Sequence, residues 1–211
     1  DTFEGLQVGS TVREMVDRVE KVLKSIGLAE DFGGIIYVIG HGGSSVNNTH
    51  YAGYDCGACS GRPGSVNARV FSFMANHEEV RKELRKRGMD IPVTSQFLGG
   101  MHDTTRDEFE FYDEDSLSLQ NAKYHAQNIE IFNKALSMNA KERSRRFLST
   151  NTKQDAAAVH KIVKNRSISL FEPRPELNHA TNALCIVGRH SLHEGLFLDR
   201  ETVRRIKDWS P

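Results

Sequence analysis

Residues 34–39 are Gly34-Ile35-Ile36-Tyr37-Val38-Ile39, an unbroken apolar run that Gly40 and His41 follow. A strand that is buried on only one face alternates apolar and polar residues, whereas a strand that is covered on both faces does not. The run therefore predicts a strand of a parallel sheet that is covered on both faces. Ligands of such sheets bind beyond the carboxyl ends of the strands, which is where His41 falls.

The composition indicates a folded chain without an electrostatic preference for a partner. Of the 211 residues, 38% are apolar, and we expect residues 1–211 to form a single α/β domain. The 28 basic residues balance 28 acidic ones, so net charge favours neither nucleic acid nor an anionic membrane. No apolar stretch approaches the roughly 20 residues that a membrane-spanning helix needs. Three cysteines are too few for a disulfide framework and favour a reducing compartment.

Apolar spacing predicts further helices and strands, with Ser10 as a candidate cap of the first helix. Helices are predicted over Ser10–Ile26, Ser65–Asn76, His77–Arg87, Ser118–Phe147 and Gln154–Val163. Strands are predicted over Val93–Met101, Glu108–Tyr112 and Leu184–Val187. Helices that alternate with apolar strands predict an α/β fold, a mostly parallel sheet flanked by helices. The basic residues that end the longest helix are interpreted as a solvated terminus; they are Lys141, Arg143, Arg145 and Arg146.

The segment Gly42–Gly64, here called the glycine-rich segment, holds the residues with the most reactive side chains. It is dense in small polar residues, lacks a helical or strand period, and contains Cys56 and Cys59. Imidazole nitrogen and thiolate sulfur are ligands that Zn²⁺ prefers, and the glycines would let His41 and a cysteine converge. Single histidines and cysteines are more often packed or solvated, so the spacing alone leaves the zinc site open.

The same residues permit other interpretations. A zinc ribbon needs four ligands, and beyond Cys56 and Cys59 only Cys185 remains. A thioredoxin-like redox pair opens a helix directly after a strand, whereas these two cysteines lie inside a long segment. Backbone amides of Gly40–Ser45 could cradle a phosphate, but no Lys-Ser/Thr follows them.

A second polar group follows the strand predicted over Val93–Met101. His102, Asp103, Thr104 and Thr105 would lie at the end of that strand, where they would either line the same edge as His41 or cap a turn. The remaining candidate histidines are interpreted as surface or packed side chains; they are His179, His190 and His193.

Several unusual motifs occur in a fixed order along the chain. They are Gly40-His41-Gly42-Gly43-Ser44-Ser45-Val46-Asn47-Asn48, Asp55-Cys56-Gly57-Ala58-Cys59, Asn67-Ala68-Arg69-Val70, His102-Asp103-Thr104-Thr105, Asn139-Ala140-Lys141-Glu142-Arg143, Arg174-Pro175-Glu176 and Asn182-Ala183. Together they resemble the C-terminal half of the DabA family, also called DUF2309 or UPF0753. Members of the family are several times longer, so the resemblance implies that this chain corresponds to a C-terminal portion.

The resemblance implies a role in inorganic carbon transport. DabA proteins are the large, membrane-associated subunit of a two-part uptake system, and their zinc site resembles that of β-carbonic anhydrases. The implied fold is therefore β-carbonic-anhydrase-like, and the implied reaction is the hydration of CO2 to bicarbonate. The implied partner is a membrane-embedded, ion-translocating subunit of the DabB type, with the protein peripheral on the cytoplasmic face of the bacterial inner membrane.

Two of the family's zinc ligands match this sequence, at His41 and Cys56. The resemblance places the other two, a cysteine and an aspartate with an arginine partner, in an earlier Cys-x-Asp-x-Arg segment that this sequence does not contain. Two ligands cannot satisfy tetrahedral Zn²⁺, so we expect weak or absent metal in this chain alone. Asp55 is expected to orient the ligands and Cys59 to be structural.

Two functions of other classes remain as alternatives. In the first, the chain is a non-catalytic docking module that holds the metal-binding half against its membrane partner through the long helix and Arg174-Pro175-Glu176. In the second, Cys56 and Cys59 serve a zinc or thiol redox function.

Overall fold

The computed structural model describes residues 2–3, 6–7, 9–46, 62–145, 147, 150–171, 184–187 and 203–206. In these residues the helices are α1 (Val12–Ser25), α2 (Ser65–Asn76), α3 (Glu78–Lys86), α4 (Leu119–Ser144) and α5 (Ala156–Arg166). The strands are β1 (Thr2–Phe3), β2 (Leu6–Gln7), β3 (Ile35–Gly42), β4 (Gln96–Asp103), β5 (Glu108–Phe111), β6 (Leu184–Val187) and β7 (Val203–Ile206).

The main sheet has three strands in the order β3-β4-β5. Strands β3 and β4 are parallel, with Ile35 opposite Gln96 at the start of the register. Strand β5 is antiparallel to β4, which confirms the edge strand predicted over residues 108–112. The α/β class is confirmed, but this sheet is mixed rather than mostly parallel. The reason is the four-residue turn at 104–107, which is too short for the crossover that a parallel connection requires.

Helices cover both faces of β3 and β4. On one face, Ile36 and Val38 of β3 pack against the main core, which α1, α2 and α3 share with β4. On the other face, the ring of Tyr37 lies 5.0 Å from the ring of Phe132 in α4, in an edge-on contact. Both faces of β3 thus contact helices, as its unbroken apolar run predicts, although Ile35–Val38 are half-buried, Ile39 is exposed, and β3 is an edge strand of the described sheet. The buried members of the main core are Met15, Val16, Val19, Leu23, Met74, Ala75, Val80, Leu84, Met89, Ile91 and Phe97.

Helix α4 runs along β3 and β4 from their first residues to beyond their last. Near its start, the side-chain amide of Asn121 donates to the carbonyl oxygens of Gly34 at 3.1 Å and Thr94 at 3.0 Å. Near its end, Arg143 donates to the carbonyl oxygen of Thr104 at 2.6 Å. Its 26 residues measure about 39 Å, against about 26 Å for an eight-residue strand, so the last turns of α4 extend past the sheet.

A second, smaller core joins α5 to the end of α4 and contains Ala140, Phe147, Val159 and Val163. Helix α5 begins and ends two to three residues later than the predicted Gln154–Val163. Among the described residues, no helix combines the length and the apolar character that crossing a membrane would require.

Other predicted boundaries also differ from the structure by one to three residues, and the long helix predicted to end at Phe147 ends at Ser144. Helix α1 is capped by Thr11 rather than Ser10, because Thr11 and Glu14 form a reciprocal capping box. Strand β4 begins at Gln96 rather than Val93, because Val93 lies in a turn and is 88% exposed. In contrast, α2 has the predicted bounds, Ser65–Asn76.

Candidate metal centre

His41 lies near the carboxyl end of β3, at the edge of the sheet. In the parallel register its partner on β4 is His102. Neighbouring strands are about 4.8 Å apart and paired side chains project from the same face, so the two imidazoles are neighbours on the face that α4 covers. His41 is half-buried, and the side chain of His102 is 26% exposed. The expectation that His102 lines the same edge as His41 is confirmed.

The glycine-rich segment returns to the sheet beside His41. The backbone N–H of Gly64 donates to the carbonyl oxygen of His41 at 2.7 Å. A Cβ added at Gly40 would lie 2.3 Å from the carbonyl carbon of Gly64, and one added at Gly64 would lie 2.9 Å from the His41 nitrogen. Because a side chain fits at neither position, the two glycines permit this approach. The segment that leaves β3 at Gly42 therefore begins and ends beside His41.

Asp103, the last residue of β4, anchors the first residues of the same segment. Its carboxylate accepts hydrogen bonds from the backbone N–H of Ser44 at 3.2 Å and from the Ser44 hydroxyl. It also accepts the N–H groups of Thr105 at 3.0 Å and Arg106 at 3.2 Å, and only 8% of the residue is exposed. Asp103 thus caps the turn and lines the edge, so both interpretations of this position are confirmed.

A buried pair of opposite charges lies behind His102. The guanidinium of Arg143 is 2.6 Å from the carboxylate of Asp107, and their side chains are 4% and 1% exposed. The second oxygen of Asp107 lies 3.2 Å from Nε2 of His102 and accepts a hydrogen bond from the amide of Asn139 at 2.9 Å. The pair therefore orients His102 and attaches the end of α4 to the turn between β4 and β5.

A cleft of about 440 Å³ opens beside this turn. The ring nitrogens of His160 lie 2.8 Å from the carbonyl oxygen of Arg106 and 3.1 Å from the hydroxyl of Ser137. Glu108 forms ion pairs with Arg106, at 3.1 Å, and with Lys164. Arg106 and Glu108, which both line the cleft, are therefore paired within the protein.

The interpretation of Arg143 as part of a solvated helix end is wrong, although Arg145 is exposed as expected. Arg143 is buried because α4 extends past the strands and its last turns lie over residues 104–107. Sequence reasoning also gave no site role to Asp107. The sequence signal that could have indicated these roles is the length of the predicted helix. That helix is longer than is needed to cover an eight-residue strand, so its last turns must contact something beyond the sheet.

Several predicted site residues lie outside the described part of the chain. Among them are Asp55, Cys56 and Cys59, so the convergence of His41 with Cys56 remains a prediction. Within the described residues, no cluster of three or more histidine, cysteine, aspartate or glutamate side chains could hold a metal ion. Also outside are Arg174-Pro175-Glu176, His179, His190 and His193.

Comparison with known proteins shows close relatives along nearly the whole chain. A family model described as probable inorganic carbon transporter subunit DabA matches residues 2–204. A protein of that name from Azotobacter vinelandii is 60% identical over 209 residues, which are 99% of this chain and 25% of the relative. One from Nitrosospira multiformis is 57% identical over 212 residues, which are 99% of this chain and 23% of the relative. No solved structure matches the chain.

The chain thus spans about a quarter of the length of these two relatives. The family match covers His41, the glycine-rich segment and the turn that holds Asp107. On this evidence the chain belongs to the DabA family of probable inorganic carbon transporter subunits.

Proposed function

We propose that this chain supplies His41 and Cys56 to a zinc site in an inorganic carbon transporter subunit, where CO2 is hydrated to bicarbonate. The observation that supports the proposal most directly is the 2.7 Å hydrogen bond from Gly64 to His41. It holds both ends of the segment that contains Cys56 at the candidate ligand. The printed name of the relatives supports the role in inorganic carbon transport.

The length of the segment is compatible with this pairing. Cys56 precedes Gly64 by eight residues, and an extended chain covers at most about 3.5 Å per residue. The tether from Gly64 is therefore up to about 28 Å long, several times what Cys56 needs to fold back to a neighbour of Gly64.

The proposed ligands have the chemistry that zinc prefers, and the described neighbours of His41 would support such a site. Imidazole and thiolate are preferred zinc ligands, and zinc, when bound, acidifies water and so supplies hydroxide to CO2 at neutral pH. Asp103 holds the start of the glycine-rich segment, and Gly64 holds its end. The ring of Phe109 lies 4.9 Å from that of His102, so an aromatic side chain borders the candidate site on the side of α4.

We further propose that the chain is the C-terminal portion of a longer protein with a β-carbonic-anhydrase-like fold. Tetrahedral zinc takes four ligands, so a cysteine and an aspartate from outside this chain would complete the site. A membrane-embedded, ion-translocating subunit of the DabB type would hold the protein at the cytoplasmic face of the inner membrane. The term subunit in the relatives' name supports an assembly of more than one chain.

Metal analysis of the full-length protein tests the ligand assignment. We expect about one zinc per chain, and less than about a tenth of that in His41→Ala and in Cys56→Ser. Cys59→Ser and His77→Ala are the matched controls and should keep their zinc. His77 lies at the other end of α2 from Gly64, about 18 Å along the helix.

Zinc that persists in both His41→Ala and Cys56→Ser would reject the ligand assignment. If both variants lose zinc, isotope exchange between CO2 and water in the assembled complex tests the reaction. Wild-type exchange that is no faster than in His41→Ala would leave a docking or structural zinc function as the better explanation.

A further inference from the structure

The outward face of α2 is an apolar stripe that the described residues leave open. Val66, Val70 and Phe73 recur at positions i, i+4 and i+7, which places them on one side of the helix. They are 66%, 49% and 65% exposed, whereas Ala68 and Ala75, which face the sheet, are buried. A helix that is apolar on both sides normally contacts a second partner.

The stripe forms one wall of a groove of about 410 Å³, and the loop after β5 forms the other. In that loop Asp113 accepts two hydrogen bonds from the guanidinium of Arg69, at 2.9 and 2.7 Å. The same guanidinium lies 5.2 Å above the ring of Tyr112. Because the two charges neutralise each other, the groove favours an apolar occupant over an ionic one.

The groove is closely attached to the sheet and begins beside the backbone of His41. A Cβ added at Gly99 of β4 would lie 2.9 Å from the Cα of Arg69, so α2 lies directly on the strand. The helix starts at Ser65, one residue after the contact of Gly64 with His41. The start of the stripe is therefore close to the backbone of His41, on the opposite face of the sheet from the imidazole.

We propose that the α2 groove is the docking site for an apolar segment from the remaining three quarters of the full-length protein. The chain accounts for only about a quarter of its relatives, so a large part of the protein is available to cover the groove. This inference rests on the proposed function in one respect: the docked part is the one that brings the missing zinc ligands to His41.

Photo-cross-linking in the full-length protein tests the occupant. A benzoylphenylalanine replaces Phe73 in one variant and, as the matched control, Ile131 of α4 in another; the two residues are 65% and 64% exposed. We expect the probe at position 73 to cross-link to a peptide from outside residues 1–211 of the same polypeptide. We expect the probe at position 131 to give about tenfold less of that product. Cross-links from position 73 to a second copy, to the membrane subunit or to nothing would each overturn the proposal.

Thiol labelling of Val66→Cys and Ile131→Cys in the full-length protein provides a second measurement with milder substitutions. The cysteine at position 66 should react about tenfold more slowly than that at position 131, because docking covers it. Equal labelling rates would contradict docking.

Zinc content in the His41→Ala variant separates this proposal from the proposed function. Slow labelling at position 66 together with zinc that does not depend on His41 would keep the docking site and reject the zinc assignment. Fast labelling at position 66 together with zinc that depends on His41 would reject the docking site and keep the zinc assignment.

Discussion

His41 and His102 occupy paired positions on two parallel strands, one residue before the end of each. The pairing depends on register, because a slip of one residue would send one imidazole to the opposite face of the sheet. On one side of the pair, Gly64 fixes the backbone of His41; on the other, Asp107 orients the ring of His102. The candidate site therefore depends on contacts that can be changed one at a time.

Gly40→Ala should push Gly64, at the end of the glycine-rich segment, away from β3. Its Cβ would lie 2.3 Å from the Gly64 backbone, so one of the two must move, at a cost of about 1–3 kcal/mol. Denaturant unfolding measures the loss, and hydrogen exchange at the Gly64 amide should become faster. Gly33→Ala is the control, since its nearest contact would be an ordinary 3.8 Å. Equal stability of the two variants would contradict the close approach.

Arg143→Met should lower the free energy of unfolding by about 3–5 kcal/mol, because it leaves the buried carboxylate of Asp107 without its cation. Arg85→Met removes an ion pair with Asp90 whose side chains are 59% and 69% exposed, and should cost less than about 0.5 kcal/mol. Denaturant unfolding of the two variants gives the comparison. Similar losses of unfolding free energy in both variants would mean that the buried ion pair of Arg143 stabilises the protein no more than an exposed one.

The difference between these two arginines shows where sequence reasoning stops. Both lie in the basic last turn of a helix, a pattern that indicates a favourable interaction with the helix dipole and exposure to solvent. Arg143 is buried because α4 is longer than the strands it covers and continues over the neighbouring turn. The burial of Arg143 thus depends on how α4 packs on distant strands, and the local spacing of residues carries no information about that packing.

Local patterns were sufficient where the physical cause is local. The lack of alternation in Ile35–Ile39 predicts cover on both faces, and Gly64 and His77 bound α2 as expected. The pairing of His41 with His102 follows once both strands are placed in a parallel sheet, because their polar ends then share an edge. Apolar spacing also marked Val66, Val70 and Phe73 as helical, but it does not distinguish a face on the sheet from one directed outward.

Asp103→Ala should release the start of the glycine-rich segment. The substitution removes the acceptor of the Ser44, Thr105 and Arg106 N–H groups, and we expect a loss of about 1–3 kcal/mol. Hydrogen exchange at the Ser44 amide should accelerate about tenfold, which corresponds to about 1.4 kcal/mol. The exposed Asp90→Ala should leave that amide unchanged, and unaltered exchange in Asp103→Ala would exclude Asp103 as the anchor.

Tyr37 should contribute to stability below pH 10 and lose that contribution in alkali. Burial raises the pKa of its phenol, although the amide of Asn128, 3.1 Å from the hydroxyl, opposes the shift. Because the folded pKa exceeds the unfolded value of about 10, the stabilisation is complete below that value and disappears as pH rises through the folded pKa.

Absorbance titration of phenolate in wild type and Tyr37→Phe measures this ionisation directly. The tyrosine missing from the variant should be one that titrates above pH 10, and the stability of the variant should fall less steeply there than that of wild type. A missing transition at or below pH 10 would contradict the effect of burial.

The contact between Gly64 and His41 also makes the position of the sheet independent of the length of the glycine-rich segment. Since both ends of the glycine-rich segment are held next to His41, residues can be inserted or deleted between them without displacing β3 or α2. Doubling the length would cost only about 0.6 kcal/mol of closure entropy. The middle of the glycine-rich segment can therefore diverge in length and sequence during evolution, and change access to the edge of the sheet, while β3 and α2 keep their positions.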